Sequence, residues 1–174
     1  MRDIVVEAQA GRAEAFEVLV ERHGPDIYRM AAAIVGPDEA RDVAQETFIA
    51  AWRELPRLRD PDRFESWLRR ILVNRSRNAL RSRGRRPSVS LSEPGPAHDL
   101  AGPVDFRDAA DARQALDGAF AALSADQRTV IALHYGAELS ISEAAASMGV
   151  AAGTAKSRLH AALRRLRTAV EGQS

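Results

Sequence analysis

Between Phe64 and Arg86 the chain reads FESWLRRILVNRSRNALRSRGRR, and no other stretch limits the possible folds as tightly. Phe64, Trp67, Leu68, Ile71 and Leu72 recur at helical spacing, so a helix here buries one stripe against a core. The rest carries Arg69, Arg70, Arg75, Arg77, Arg81, Arg83, Arg85 and Arg86, with no acid after Glu65. Arg70, Asn74, Arg77 and Arg81 are separated by four, three and four residues, which sets them on one helical face. A face that serves only solubility mixes both signs. An unbalanced row of planar guanidinium forks suits a phosphate backbone, because each fork can donate to two oxygens at once. The spacing predicts a nucleic-acid-binding helix.

The net charge of +1 conceals alternating blocks. Residues 1–54 hold 6 Arg against 11 Asp/Glu, and residues 55–86 hold 11 Arg against 3. Residues 87–150 hold 3 Arg against 9 acids, and residues 151–174 hold 5 Lys/Arg against 1. A DNA-facing surface can therefore coexist with a surface for a basic protein partner. Cysteine is absent, which excludes disulfides, cysteine-ligated zinc and thiol catalysis together. The sequence has no apolar run of about 18 residues and its N-terminus is acidic and amphipathic, so a soluble, cytoplasmic protein is expected.

Read in order, the first third is helical. A short helix over Ile4–Ala10 ends at Gly11, and Phe16, Leu19 and Val20 form a second up to a break at His23-Gly24-Pro25. Ile27, Met30, Ala31 and Ile34 carry a third as far as Gly36-Pro37. In DEARDVAQETFIAAWREL (38–55), Ala44, Phe48, Ala51 or Trp52, and Leu55 form the apolar stripe. Asp42, Gln45, Glu46, Ile49 and Arg53 fall together on the other side, and spacing alone leaves open whether that face is solvated or binds a partner. Pro56 to Asp62 reads as a loop into the arginine-rich helix, which Gly84 and Pro87 end.

Residues 87–104 are dense in Pro, Gly and Ser without a sustained apolar period, the composition of a flexible linker. The expected class is all-α: a helical domain over 1–86, a linker over 87–104 and a second helical domain over 105–174. In the second, a helix over Phe106–Leu123 precedes Ser124-Ala-Asp-Gln127 and Ser140-Ile-Ser-Glu143, two capping boxes. The latter opens a short helix that Gly149 closes as a left-handed cap, and a longer basic helix follows from about Ala152. Short capped helix, glycine turn and basic helix form a helix-turn-helix outline. Ala155, Leu159, Leu163, Leu166 and Val170 would pack inward, while Thr154, Lys156, Ser157, His160 and Ala161 face a major groove. Arg158, Arg164, Arg165 and Arg167 suit phosphates.

His23, His98, His134 and His160 lie on different elements without a nucleophile or metal spacing beside them. Asp42 and Glu46 lack a third ligand, and the glycines form no phosphate-cradling loop. The sequence therefore predicts no catalytic residue, metal, cofactor or small-molecule substrate.

Over almost its full length the chain resembles the bacterial RNA polymerase sigma factors of the sigma-70 superfamily, extracytoplasmic-function (ECF) subgroup. DVAQETFIAAW is similar to that family's region 2.2, and FESWLRRILVNRSRNALRSRGRR to regions 2.3 and 2.4. LSADQRTVIALHYGAELSISEAAASMGVAAGTAKSRLHAALRRLR is similar to region 4, most closely at GTAKSRLH. The resemblance implies a promoter-specificity subunit that binds core RNA polymerase through its β′ and β subunits. Asp42, Gln45, Glu46, Ile49 and Arg53 would dock on a β′ coiled coil. Leu58, Phe64, Trp67, Arg70, Asn74, Arg77 and Arg81 would bind the single-stranded −10 element around a flipped base. Thr154, Lys156, Ser157, Arg158, His160 and Arg164 would bind the −35 element as duplex. An anti-sigma factor is an implied partner. Ala50 and Ala161 stand where relatives often carry a basic residue, which implies a missing −10 contact and an altered −35 preference. A helix-turn-helix regulator that never joins polymerase is the alternative, and it has no use for the acidic face of 42–53.

Overall fold

The computed structural model describes residues 1–83, 116 and 118–171, and among these it is helical with no strand. The expected linker, Arg85, Arg86, His98 and most of the helix expected over 106–123 lie outside the described residues, though 118–121 are helical. Helices α1 (Arg2–Gln9), α2 (Ala13–Val35), α3 (Pro37–Glu54) and α4 (Phe64–Arg83) form the N-terminal unit. Helices α5 (Ala125–Ile131), α6 (Ile141–Met148) and α7 (Ala152–Glu171) form the second.

The break expected at His23-Gly24-Pro25 does not occur: α2 runs through Pro25 without interruption. A proline inside a helix removes one hydrogen bond and costs about 3 kcal/mol. Ala15, Leu19, His23, Ile27, Met30, Ala31 and Ile34 keep one helical phase across the proline, and all but His23 are buried. Burying a single Leu or Ile side chain contributes about 1.5–3 kcal/mol, so a stripe continued on both sides outweighs the lost bond. Gly36 then joins α2 to α3 with φ 96° and ψ 164°, a conformation essentially confined to glycine.

The second unit follows its local chemistry closely. Ser124 accepts from the Gln127 amide at 3.3 Å while Gln127 Oε1 accepts from the Ser124 amide at 3.0 Å. Ser140 and Glu143 repeat the arrangement at 3.3 and 2.9 Å. The Ser140 hydroxyl first, and its amide second, hold the Glu143 carboxyl below the usual carboxylate range. Gly149 caps α6 in the left-handed conformation at φ 65°. After Ile131 the helix loosens into a π-helical turn over Ala132–Gly136, closed by Ala137 N–H donating to Ala132 O.

One continuous apolar cluster runs from Val5 and Leu19 through Phe64 and Leu72 to Val130, Leu133 and Met148. The two units thus lie against each other, α2 meeting α5 and the π turn while α4 meets α6. His23 sits near this seam, its ring 5.5 Å from that of Phe64 and its Nε2 buried with no hydrogen-bond partner among the described residues. Burial lowers its pKa, opposed most by Glu65. The folded chain therefore resists protonating His23 more than the unfolded chain does. As pH falls below about 6.5 the unfolded state takes up the proton first, and stability declines down to the lower folded pKa. His23→Gln is expected to flatten that decline, measured as urea midpoints on either side of pH 6.5.

Candidate nucleic-acid and protein interface

Helix α3 carries the acidic face. Val43, Thr47, Ala50, Ala51 and Leu55 turn inward, whereas Asp42, Gln45, Glu46, Ile49 and Arg53 are exposed as the spacing predicts. None of the five makes an ion pair or side-chain hydrogen bond among the described residues. Trp52, read as a possible core position, is 37% exposed beside Ile49 at 43%. It leans on Phe16 with ring centroids 4.9 Å apart, so the face is amphipathic as well as acidic. Ala50, read as a vacated DNA contact, is only 3% exposed and belongs to the core, because its position on α3 faces the neighbouring helices.

The loop before α4 is built rather than slack. Asp60 accepts from the Asp62 amide at 3.1 Å and caps a 3-10 turn over Pro61–Arg63. Gln9 of α1 donates from Nε2 to Leu55 O and Leu58 O at 3.1 and 2.7 Å, fixing the segment that presents Leu58. Arg2 pairs with Asp62 from the same helix. The sequence reading passed over Gln9 and Arg2. Asp60-Pro61 was the available signal for the turn, an N-cap followed by proline at the first position.

Along α4, Arg70, Asn74 and Arg81 are exposed, and Leu58 and Trp67 are half-buried. Arg81 leans on Asn78 Oδ1 at 3.1 Å, and Arg70 has no ion-pair partner among the described residues. Two members of the predicted strand-binding set differ from expectation. Phe64 is 1% exposed beneath His23 and Trp67, too deep to meet a base, because it is the apolar anchor of the first turn of α4. Arg77 turns to the second unit and binds Asp126 and the Met148 carbonyl.

On α7, Ala155, Leu159 and Ala162 are buried, and Thr154, Lys156, Ser157, His160 and Arg164 are exposed together over the N-terminal half. Ala161 is half-buried, at the border of that surface. Arg158 departs from the expected phosphate-holding set, since it points across α7 to Asp126 at 2.8 Å. Among the described residues no group of His, Asp and Glu could hold a metal, and no helix is long and apolar enough to cross a membrane.

Comparisons with known proteins agree with this geometry. The family models for sigma-70 region 2 and sigma-70 region 4 match residues 19–86 and 113–166. The ECF RNA polymerase sigma-E factor of Salmonella typhimurium is 32% identical over 90% of this chain and 86% of its own length. A solved structure of CnrH in complex with the cytosolic domain of CnrY is 30% identical, with a TM-score of 0.70 over 99% of this chain and 98% of that one. The co-crystal structure of the sigma factor RpoE with the anti-sigma factor NepR from Bartonella quintana is 29% identical, with a TM-score of 0.70 over 91% and 98%. Two basic helices on separate units, an acidic face on α3 and similarity along nearly the whole length lead to one assignment: this chain belongs to the ECF group of sigma-70-type RNA polymerase sigma factors.

Proposed function

We propose that this protein is the promoter-specificity subunit that core RNA polymerase recruits for one class of promoters. It reads the −35 element as duplex and the −10 element as an opened strand, and it makes and breaks no covalent bond itself. One observation carries the reading: besides exposed basic side chains on α4 and α7, the chain presents an acidic, apolar-edged face on α3 whose carboxylates Asp42 and Glu46 have no ion-pair partner among the described residues. A protein that only bound DNA would have no use for that third surface.

In this reading Asp42, Gln45, Glu46, Ile49 and Arg53, extended by Trp52, seat on a basic helical surface of polymerase. Leu58, Trp67 and Asn74 receive a flipped base, whose unstacking cost of a few kcal/mol is offset by stacking and by phosphate contacts from Arg70 and Arg81. Thr154, Lys156, Ser157 and His160 read base edges in a major groove while Arg164 holds a phosphate. The domain limits that fit these roles are 1–86 and 105–174. The similarity to RpoE, seen with the anti-sigma factor NepR, supports an anti-sigma partner here, and polymerase binding puts the site of action in the cytoplasm.

The deciding experiment is run-off transcription with purified protein, core polymerase and genomic promoter fragments. Specific transcripts are expected only when protein and core are combined. Tight duplex binding without core association would instead identify a helix-turn-helix regulator that acts outside polymerase.

A further inference from the structure

None of the promoter-binding residues lies on α1, yet α1 holds the loop that presents one of them. Arg2, Val5 and Gln9 are separated by three and four residues and so share one face of that helix. Val5 is fully buried, which seats the face on the N-terminal unit. Near the start of α1, Arg2 pairs with Asp62, the middle residue of the 3-10 turn Pro61–Arg63. At its end, Gln9 Nε2 donates to Leu55 O at 3.1 Å and to Leu58 O at 2.7 Å. Both hydrogens of the side-chain amide are thus spent on carbonyls at the two ends of a second 3-10 turn, Leu55–Arg57. Arg57 and Arg59, on either side of Leu58, are exposed and have no ion-pair partner among the described residues. A half-buried apolar side chain between two unpaired cations suits a base with a phosphate on each side.

We propose that Gln9 is a positioning residue for base selection at the −10 element: its amide sets where Leu58 stands, which makes α1 part of the framework of the base pocket. The inference rests on the promoter-binding reading above. A pocket tells bases apart by how closely its walls fit, and a wall that can shift accepts several. Asp60 fixes the far half of the loop, accepting from the Asp62 amide at 3.1 Å and pairing with Arg63 at 3.4 Å. Gln9 fixes the near half. Without its donors the Leu58 amide still closes the turn onto Leu55 O at 3.0 Å, but the Leu58 carbonyl loses its anchor to α1. The Arg2–Asp62 pair cannot replace that anchor, because both side chains are exposed and such pairs hold weakly.

Gln9→Met keeps the length of the side chain and removes both donors. On a promoter identified by run-off transcription with core polymerase, each base of the −10 and −35 elements is replaced in turn. Transcript yields relative to the parent promoter are then compared between wild type and variant. Preference at one −10 position, that of the flipped base, is expected to fall about tenfold, in keeping with the loss of two ordinary hydrogen bonds. Preferences at −35 and association with core stay as in wild type. Gln9→Glu, which keeps the shape and turns the donors into acceptors, must loosen the same position. A role in stability alone lowers every yield by one common factor and leaves the ratios unchanged, because the folded fraction cancels. Unchanged ratios in both variants, equal loosening at −10 and −35, or different positions loosened by the two variants overturn the proposal. The wild type keeps the two readings apart: specific transcripts with unaltered ratios in the variants remove the role of Gln9 alone, and no transcripts with core remove the promoter-binding reading.

Discussion

Asp42→Arg combined with Glu46→Arg is expected to weaken association with core RNA polymerase at least about 100-fold, because a like-charge contact at an interface costs several kcal/mol. Both carboxylates are exposed, one turn apart on α3, and have no cation to neutralise them among the described residues. The buried side of α3, from Val43 to Leu55, is untouched, so circular dichroism and the thermal midpoint stay close to wild type. Duplex binding by the same variant is retained, since α7 lies on the other unit. Co-migration with core on gel filtration, followed by run-off transcription, reads the loss directly. Wild-type transcription from the double variant would remove α3 as the docking face.

Phe64→Ala and Trp67→Ala are expected to fail in different ways, although both are aromatic residues in the first turn of α4. Phe64 is among the largest fully buried side chains, and truncating such a residue costs about 3–5 kcal/mol from a margin of about 5–15. That loss removes a large share of the margin and is visible as a lowered urea midpoint before any DNA is added. Trp67 is half-buried and borders solvent. Its truncation leaves a folded protein that still joins core but opens the −10 strand poorly, since each base–aromatic stack contributes about 1–3 kcal/mol. Permanganate reactivity of unpaired thymines in the open complex separates the two. Equal stability losses in both variants would assign Trp67 to the core alongside Phe64.

These contrasts mark which features the sequence disclosed. Both capping boxes and the Gly149 cap were legible because each is settled within four residues of backbone. The exposed face of α3 and the outer side of α7 were legible from helical period alone. Continuity of α2 was missed because Gly24-Pro25 is a strong local stop signal, and it yields only to burial contributed by distant helices. The phase kept from Leu19 through His23 to Ile27 was the one sequence clue to it. Arg77, Arg158 and Asp126 could not have been grouped from the sequence. Their pairing spans 49 residues from Arg77 to Asp126 and depends on how two units meet, which no local period encodes. Phe64 and Trp67 likewise share a stripe on paper, and the packing of helices distant in sequence, with His23 of α2 against Phe64, decides which of them is covered.

The elbow at Gly36 gives the molecule a mechanical property. Its backbone adopts a geometry that side-chain-bearing residues avoid, and α2 and α3 share the most extensive helix–helix contact among the described elements. Their packed faces couple the two helices to each other. A large partner that grasps the outer surface of α3 gains leverage on α2 as well, and α2 is where α5 and the π turn rest. A load on α3 is thereby handed through its packing on α2 to the second unit.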